Sequence, residues 1–547
     1  MLLIECSKIK KSFGHRLILD IDDLKIYSED RVGIVGVNGA GKTTLLNILS
    51  KRMEPDEGWV RLYGKAGFIS QLDEPDRKYI SEEAAAKFGI RPLWNGKMSG
   101  GEKTRFKLAQ ALEEPNMMIF ADEPTVNVDM EGIELVEGKF ADYQGALIII
   151  SHDRSLLDKL CTQIIEIENS KIKIYKGNYS DYRAQKMRER ERAQFEYEEY
   201  IKEKKRLKTV MIKIKQKAKG MRKTPKRMGN SEARLHRLGP QRAMAGLERA
   251  VENVKKRIEH LEVKEKPKIP PAIKMDLLDS GKLHSKIIVE GENLNKAFGE
   301  KVIFKQAAFK IYNSSKVALI GPNGSGKSTL IKMIIDGDGA IKTAQGVKIG
   351  YFSQELEILR EDQSIIESVM ESSIYPENFA RLILARLLFR EDTVYKKISV
   401  LSGGERVKVS FAKILLADNN MLILDEPTNY LDINSLEVVE EALREYDRTL
   451  LFVSHDRRFV ENVADQIMSI ENYQIRMFSG PLSEYLAKKN KSSDSGAEEI
   501  EKQIILLKNR LSEVIGRLSM PSKEDDISAL DREYYQILRE LKNLEKK

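Results

Sequence analysis

Two eight-residue runs, Gly36-Val37-Asn38-Gly39-Ala40-Gly41-Lys42-Thr43 and Gly321-Pro322-Asn323-Gly324-Ser325-Gly326-Lys327-Ser328, carry the residue types that cradle nucleotide phosphates. The first follows the apolar run Val32–Val35 and precedes Leu45, Leu46, Ile48 and Leu49 at helical spacing, so strand, glycine loop and helix are expected in that order. Glycines let backbone N–H groups converge on phosphate oxygens, and the helix N-terminus adds its dipole. Lys42 and Lys327 would reach the β/γ-phosphates, and the Thr43 and Ser328 hydroxyls can ligate Mg²⁺.

Further groups suit phosphoryl transfer. Asn116–Ala121 reads as a buried strand ending in Asp122-Glu123, which places one carboxylate to hold Mg²⁺ through water and a second, Glu123, to polarise the attacking water. A second apolar strand, Ala146–Ile150, delivers Ser151-His152-Asp153 to the same edge, where His152 could contact the γ-phosphate. The set recurs as Asp425-Glu426 and Ser454-His455-Asp456. Phe13 to Lys42 and Phe298 to Lys327 both span 29 positions, and Asp122 to His152 and Asp425 to His455 both span 30. Ser99-Gly100-Gly101-Glu102 and Ser402-Gly403-Gly404-Glu405 each begin 23 positions before their aspartate. A register kept this closely is an internal duplication.

The elements that must position these residues exceed one domain, since 547 residues call for two or more cores. Apolar content of 41% with 32% charged residues suits a soluble protein, and no apolar run approaches the roughly 18 residues of a membrane span. The N-terminus turns charged too early for a secretory segment, so a cytoplasmic location is expected. Cys6 and Cys161 lie far apart with no CxxC spacing, which argues for buried, inert thiols.

Leu401-Ser402-Gly403-Gly404-Glu405 resembles the signature sequence of the ATP-binding-cassette ATPases, and Met98-Ser99-Gly100-Gly101-Glu102 is a one-residue variant. The resemblance covers residues 2–180 and 287–485. It implies an α/β fold with two P-loop ATPase domains, ATP as substrate, and Mg²⁺. Phe13 and Phe298 take the adenine-stacking positions, and Thr44 and Thr329 complete the phosphate loops. Gln71 and Gln354 stand in the Q-loop position beside Mg²⁺. In that family the domains close head to tail, so Lys42, Asp122, Glu123 and His152 would share a site with Ser402–Glu405, and Lys327, Asp425, Glu426 and His455 one with Ser99–Glu102. Two departures stand out. DEPTVNVD carries Val126 and Asn127 where DEPTNYLD has Asn429 and Tyr430, and the interval from glutamine to signature serine is 28 residues in the first half against 48 in the second. The surplus includes the amphipathic stretch Phe379–Phe389, so the first half's helical subdomain should be small.

Between the halves, Tyr197, Tyr200, Lys204, Leu207, Met211 and Ile214 repeat at 3,4 spacing, as do Met244, Leu247, Val251, Val254, Ile258 and Leu261. Facing seams imply an antiparallel helical hairpin with Lys215–Ala243 at its tip. From Asp181 to Lys215 one helix would extend roughly 50 Å at ~1.5 Å per residue. Asn230-Ser231 could cap a short helix within the tip, and Gly239-Pro240 would restart the return helix. The tip holds ten Lys/Arg against the single Glu232, a balance of +9, while the whole chain is only +8. An isolated charge run reads as a solvated linker, but a stalk lifting such charge argues for a phosphate-rich target.

This hairpin resembles the interdomain linker of the ABC-F proteins, and KTPKRMGNSEARLHRL within it is similar to the antibiotic-resistance group of the Vga and Lsa kind. The resemblance implies a bacterial ribosome as partner, entered at the tRNA exit site, with the tip meeting large-subunit rRNA and the P-site tRNA near the peptidyl-transferase centre. Lys219, Met221, Arg222, Lys223, Lys226, Arg227, Met228, Arg234, His236 and Arg237 would make that contact. Protection against lincosamide, pleuromutilin or streptogramin A drugs would follow. The alternatives are a housekeeping factor that rescues stalled ribosomes and, with no membrane segment in its favour, the ATPase subunit of a drug exporter. A chromosome-structuring ATPase would tend to carry a zinc-binding CxxC at the apex, which has no cysteine.

The expected organisation is a first cassette over 1–182, a linker over 183–285, a second cassette over 286–487, and a C-terminal helical extension over 495–547. In the extension, Ile500, Ile504, Leu507, Leu511, Val514 and Leu518 form one seam, and Ile527, Leu530, Tyr534, Ile537, Leu541 and Leu544 another. Ten basic and eleven acidic residues from Ser495 onward offer little phosphate affinity. Packing on the ribosome and self-association both fit. With both cassettes on one chain, a monomer is expected.

Overall fold

A computed structural model describes residues 1–71, 73–75, 77–126, 128–221, 241–266, 283, 285–353, 358–389, 391–429 and 431–489, with 507, 510, 511, 514, 515, 534 and 536–539 from the C-terminal stretch. The chain divides into two compact units, Met1–Val126 with Leu135–Lys274, and Asn127–Glu134 with Met275–Lys547.

The first cassette opens with a long hairpin, β1 (Leu2–Phe13) and β2 (Arg16–Tyr27), joined on the β1 side by β4 (Glu57–Leu62) into a three-stranded antiparallel sheet. Its main sheet runs β5 (Ala66–Ile69), β6 (Met118–Asp122), β7 (Ala146–Ile150), β3 (Arg31–Gly36), β8 (Gln163–Glu168) and β9 (Lys171–Lys176), parallel except for β9. Helices α1 (Lys42–Leu49), α2 (Glu82–Lys87), α3 (Gly100–Glu113), α4 (Met130–Asp142) and α5 (Arg154–Leu160) follow in chain order. Alternate residues of β6 and β7 serve different cores. Met118, Phe120, Ile148 and Ile150 join Leu45 and Leu49 of α1, whereas Ile119, Ala121, Leu147 and Ile149 join Phe106 of α3 and Phe140 of α4. A parallel sheet covered on both faces requires this, which explains why these strands read as unbroken apolar runs.

The second cassette repeats the plan. β10 (Ile287–Phe298), β11 (Lys301–Tyr312) and β13 (Ile341–Thr343) form the small sheet. The main sheet runs β14 (Ile349–Phe352), β15 (Met421–Asp425), β16 (Thr449–Val453), β12 (Lys316–Ile320), β17 (Gln466–Glu471) and β18 (Gln474–Ser479). Its helices are α8 (Lys327–Asp336), α9 (Ile365–Met370), α10 (Glu377–Arg386), α11 (Gly403–Leu415), α12 (Ile433–Glu445) and α13 (Arg457–Val463). Among the described residues, the long interval before the second signature holds α9 and α10, against the six-residue α2 in the first half. The stretch expected to be helical through Phe389 leaves the helix at Arg386, and Leu388 takes a left-handed φ of 73°.

Between them, α6 (Tyr179–Met221) is one helix of 43 residues, about 65 Å at 1.5 Å per residue. The return helix α7 (Gln241–Glu259) packs against it. The expected seams are the covered faces: Leu207 is buried, and Tyr197, Tyr200, Lys204, Met211, Ile214, Leu247, Val251, Val254, Ile258 and Leu261 are half-buried. Lys264 reaches back to Glu196 at 3.5 Å, and Arg257 acts on Glu203, which fixes the pair as antiparallel. The expected tip helix and Pro240 lie outside the described residues. In the C-terminal stretch, Val514 and Ile537 are buried together with Leu507, Leu511 and Tyr534 against them, so the two seams meet.

Candidate active sites

Each glycine loop leaves the C-terminal end of its sheet's fourth strand and ends where a helix begins. Gly41 caps α1 at φ 103° and Gly326 caps α8 at φ 108°. A Cβ at these positions would come within 2.6 Å of Ile18 Cγ2 and 2.3 Å of Ile303 Cγ2, so both backbone angle and space demand glycine. Neither cap uses a side chain, which leaves the first amides of the helices for an anion. Lys42 Nζ donates to Gly36 O at 2.9 Å and Val37 O at 3.3 Å, and Lys327 Nζ to Gly321 O at 2.8 Å and Pro322 O at 3.2 Å. Asn38, Gly39, Asn323 and Gly324 are exposed along the loop rims, Thr43 and Ser328 are exposed on the first turns of their helices, and Thr44 and Thr329 beside them are half-buried.

Strands β6 and β7 are parallel neighbours, with β3 beyond, and Asp122 pairs with Ile150, so the acidic pair and the histidine loop emerge at one edge. β15, β16 and β12 repeat this arrangement. Thr43 and Ser328 donate their hydroxyls to Asp122 and Asp425, whose carboxyls burial holds above the usual range. Strand alternation would send consecutive carboxylates to opposite faces. Glu123 and Glu426 escape it by adopting left-handed φ values of 50° and 51°, held by N–H donation to Ile150 O (2.9 Å) and Val453 O (3.0 Å). Lys42 consequently lowers the proton affinity of both Asp122 and Glu123, as Lys327 does for Asp425 and Glu426.

His152 Nε2 lies 3.3 Å from Glu123 Oε1, and His455 Nε2 the same distance from Glu426 Oε1. Burial pushes Glu123 up to about 8 and Glu426 to about 7, while burial, with Lys327, drives His455 down to about 4. His455 is therefore neutral at physiological pH, and its glutamate is poised near the operating range of a general base. Burial leaves Glu123 Oε1, Glu426 Oε1 and Ser325 Oγ without a hydrogen-bond partner among the described residues. Such orphaned oxygens beside a glycine loop fit a site built to be completed by a nucleotide and its water. Among the described residues no group of three or more His, Cys, Asp or Glu could hold a metal unaided. That suits Mg²⁺ carried by one hydroxyl, one carboxylate, waters and substrate phosphates.

Ser99 and Ser402 cap α3 and α11 through reciprocal boxes. Ser99 Oγ accepts from Glu102 N at 3.3 Å while Ser99 N and Oγ donate to Glu102 Oε2 at 2.8 Å, and Ser402 and Glu405 repeat this at 3.4, 2.9 and 2.7 Å. The carboxylates of Glu102 and Glu405 are thus used within the motif. The serines with Gly100 and Gly403 lie at the helix starts, and Gly101 and Gly404 are buried. Phe13 and Phe298 end their strands 53% and 57% exposed, open to stacking by a base. Gln71 is exposed two residues past β5, and Gln354 lies outside the described residues. Sequence reading missed Lys107 and Lys408, both buried one turn beyond the signature motifs. Lys107 Nζ donates to Ser70 O at 2.9 Å beside Gln71, whereas Lys408 binds Asp432 Oδ2 at 3.2 Å. An amphipathic signal would flag these lysines only as apolar-face exceptions. Of the linker residues, Lys219 is exposed near the end of α6 and Met221 is its last residue; the other eight lie outside the described residues.

Tandem P-loop domains with paired acidic and histidine loops define a double ATP-binding-cassette ATPase. The sequence model described as ABC transporter matches residues 19–126 and 304–429. Two curated relatives are the ribosome protection protein VmlR of Bacillus subtilis, 31% identical over 94% of this chain and 93% of its own, and the erythromycin resistance ATP-binding protein MsrA of Staphylococcus epidermidis, 34% identical over 82% and 93%. ABC transporter F family member 5 of Arabidopsis thaliana is 28% identical over 91% of this chain and 79% of its own. The solved structure of RNase-L Inhibitor shares the fold with a TM-score of 0.58 at 18% identity, over 89% of this chain and 93% of that one. The chain belongs to the ABC-F family and is an ATPase. Among the described residues no helix is long and apolar enough to cross a membrane.

Proposed function

We propose that this ATPase binds the bacterial ribosome with ATP held in both cassettes and uses residues 219–238 at the P-site tRNA and peptidyl-transferase region to protect against lincosamide, pleuromutilin and streptogramin A drugs. The observation that carries the reading is the antiparallel α6/α7 pair, which leads into and out of a segment of +9 between two ATP-binding cassettes. A relative named for ribosome protection over 94% of this chain supports the same reading.

In the proposed chemistry, Lys42 and Lys327 with the loop amides hold the phosphates, and Phe13 and Phe298 stack the adenine. Mg²⁺, held through Thr43 with Asp122 and Ser328 with Asp425, and approached by Gln71 and Gln354, would neutralise charge on the β- and γ-phosphate oxygens. Glu123 and Glu426 take the proton of the attacking water; the backbone N–H of His152 holds Glu123 Oε2 at 3.1 Å, as that of His455 holds Glu426, and the imidazoles contact the γ-phosphate. The signature amides at Ser99–Gly101 and Ser402–Gly404 would meet the phosphates bound by the opposite cassette. The cassettes are assigned to 1–182 and 286–487, the linker to 183–285 and the extension to 495–547, with the protein acting as a cytoplasmic monomer.

The test is the double variant Glu123→Gln, Glu426→Gln. It should hydrolyse ATP about 10²–10⁴-fold more slowly, the usual weight of a general base, while still binding ATP and co-sedimenting with ribosomes. A double variant that binds ATP but leaves ribosomes in the pellet without it would sink the proposal. Growth of a drug-sensitive bacterium expressing the intact protein then separates the two ribosomal readings. Protection against peptidyl-transferase inhibitors supports resistance, and ribosome binding without protection supports the housekeeping alternative.

A further inference from the structure

The histidine loops continue into structure that the hydrolysis reaction does not use. Asp153, next to His152, caps α5 by accepting from Ser155 N and Leu156 N at 2.9 and 3.1 Å. Asp158 on the same short helix accepts from Ser180 N at 2.6 Å and Ser180 Oγ at 2.8 Å, in the first turn of α6. Tyr182 and Lys186 then bind Glu166 of β8 at 2.8 and 2.7 Å, and β8 is the parallel neighbour of the strand that carries the glycine loop. The linker helix is therefore clamped to α5, which follows the His152 loop, and to β8, where Glu166 lies beside Val35 at the entry to the glycine loop.

The second cassette builds a corresponding clamp on a different piece of chain, with its strand acid at the place of Glu168, which Lys186 also binds at 2.7 Å. Asp456 caps α13, Glu461 accepts from Ser483 N at 2.9 Å and Ser483 Oγ at 2.8 Å, and Tyr485 and Lys489 bind Glu471 of β17 at 2.9 and 3.3 Å. His to acid spans six positions in both halves, and Ser-x-Tyr-x-x-x-Lys recurs as Ser180-Tyr182-Lys186 and Ser483-Tyr485-Lys489. The acid changes length, aspartate in one half and glutamate in the other, yet both serine hydrogen bonds persist. The chain beyond the two clamps differs entirely, with a basic linker after α6 and a near-neutral segment after the helix at 482–489. The offset of 303 positions that relates His152 to His455 also relates these root residues, so the duplication kept the root while the chain beyond it diverged.

We propose that the C-terminal extension is a second effector arm. The helix at 482–489 couples the nucleotide state of the second ATP site to the chain beyond Lys489, as α6 does for the first site and the linker. This requires only ATP binding, so it stands or falls separately from ribosome binding.

Amide exchange of the full-length Glu123→Gln, Glu426→Gln protein tests it without ribosomes. ATP with Mg²⁺ should slow exchange severalfold in both root segments, 177–190 and 480–489. Adding Ser483→Ala with Glu461→Gln should abolish the response at 480–489, while ATP binding and the response at 177–190 persist. Glu461→Asp, which installs the first cassette's own residue, should keep both responses. Lys327→Ala, which leaves the root contacts untouched, should also abolish the response at 480–489. The proposal is overturned if ATP leaves 480–489 unchanged, or if its response survives either Ser483→Ala with Glu461→Gln or Lys327→Ala.

Discussion

At Glu123 and Glu426, function and stability oppose each other. A left-handed φ costs a non-glycine residue about 1–3 kcal/mol, and burial of both carboxyls adds a desolvation cost when they ionise. Their proton affinities lie above the ordinary value of 4.5, so between about pH 4.5 and 8 the folded chain holds protons that the unfolded chain has released. Stability attributable to them therefore falls as pH rises through that window. Glu123→Gln and Glu426→Gln should each raise the nucleotide-free melting temperature at pH 8 by roughly a few degrees, and the gain should vanish near pH 4.5. An equal gain at both pH values would show that burial of charge is not its source. The acidic pair and the histidine were legible from strand ends and spacing. The left-handed turn that lets adjacent carboxylates share one site was not, because composition does not report backbone angle.

Among the elements, the α6/α7 pair tests how far a heptad pattern determines contact. Leu207 is the wholly covered position of the α6 seam, at 4% exposure, with half-buried residues on either side. Leu207→Ala should cost the pair about 2–5 kcal/mol, the usual range for such a truncation. Amide exchange should accelerate across the facing seams, while ATP turnover without ribosomes stays at its original rate. Unchanged exchange would mean that the seam does not hold the helices together. The seams were readable because a 3,4 repeat can bury only one face of a helix. The roots of these helices were not readable. Ser180, Tyr182 and Ser483 look like surface polar residues until α5 and α13 bring Asp158 and Glu461 to the serines and β8 brings Glu166 to the tyrosine.

For the whole molecule, net charge is a poor guide, since +8 over 547 residues hides a segment that by itself carries +9. If that segment meets RNA phosphates, replacing Lys223, Lys226 and Arg227 together by alanine should weaken ribosome binding at low salt. It should also flatten the dependence of log affinity on log salt by roughly 2–3, about one unit for each phosphate no longer neutralised. A slope equal to that of the unaltered protein would remove phosphate contact as the role of these residues. Sequence by itself determined the duplication, the strand ends that bring each acidic pair and histidine to one edge, and the pairing of the linker helices. Each of these depends on local spacing, which the periods of strand and helix convert directly into geometry. Only the tertiary structure decided that Glu123 and Glu426 are buried beside their histidines and that Glu102 and Glu405 are spent on helix caps. It alone showed that Lys107 and Lys408 serve different loops and that the two extensions share one kind of root. Those outcomes depend on which distant segments meet and on how much water they exclude, and neither is encoded in the spacing of nearby residues.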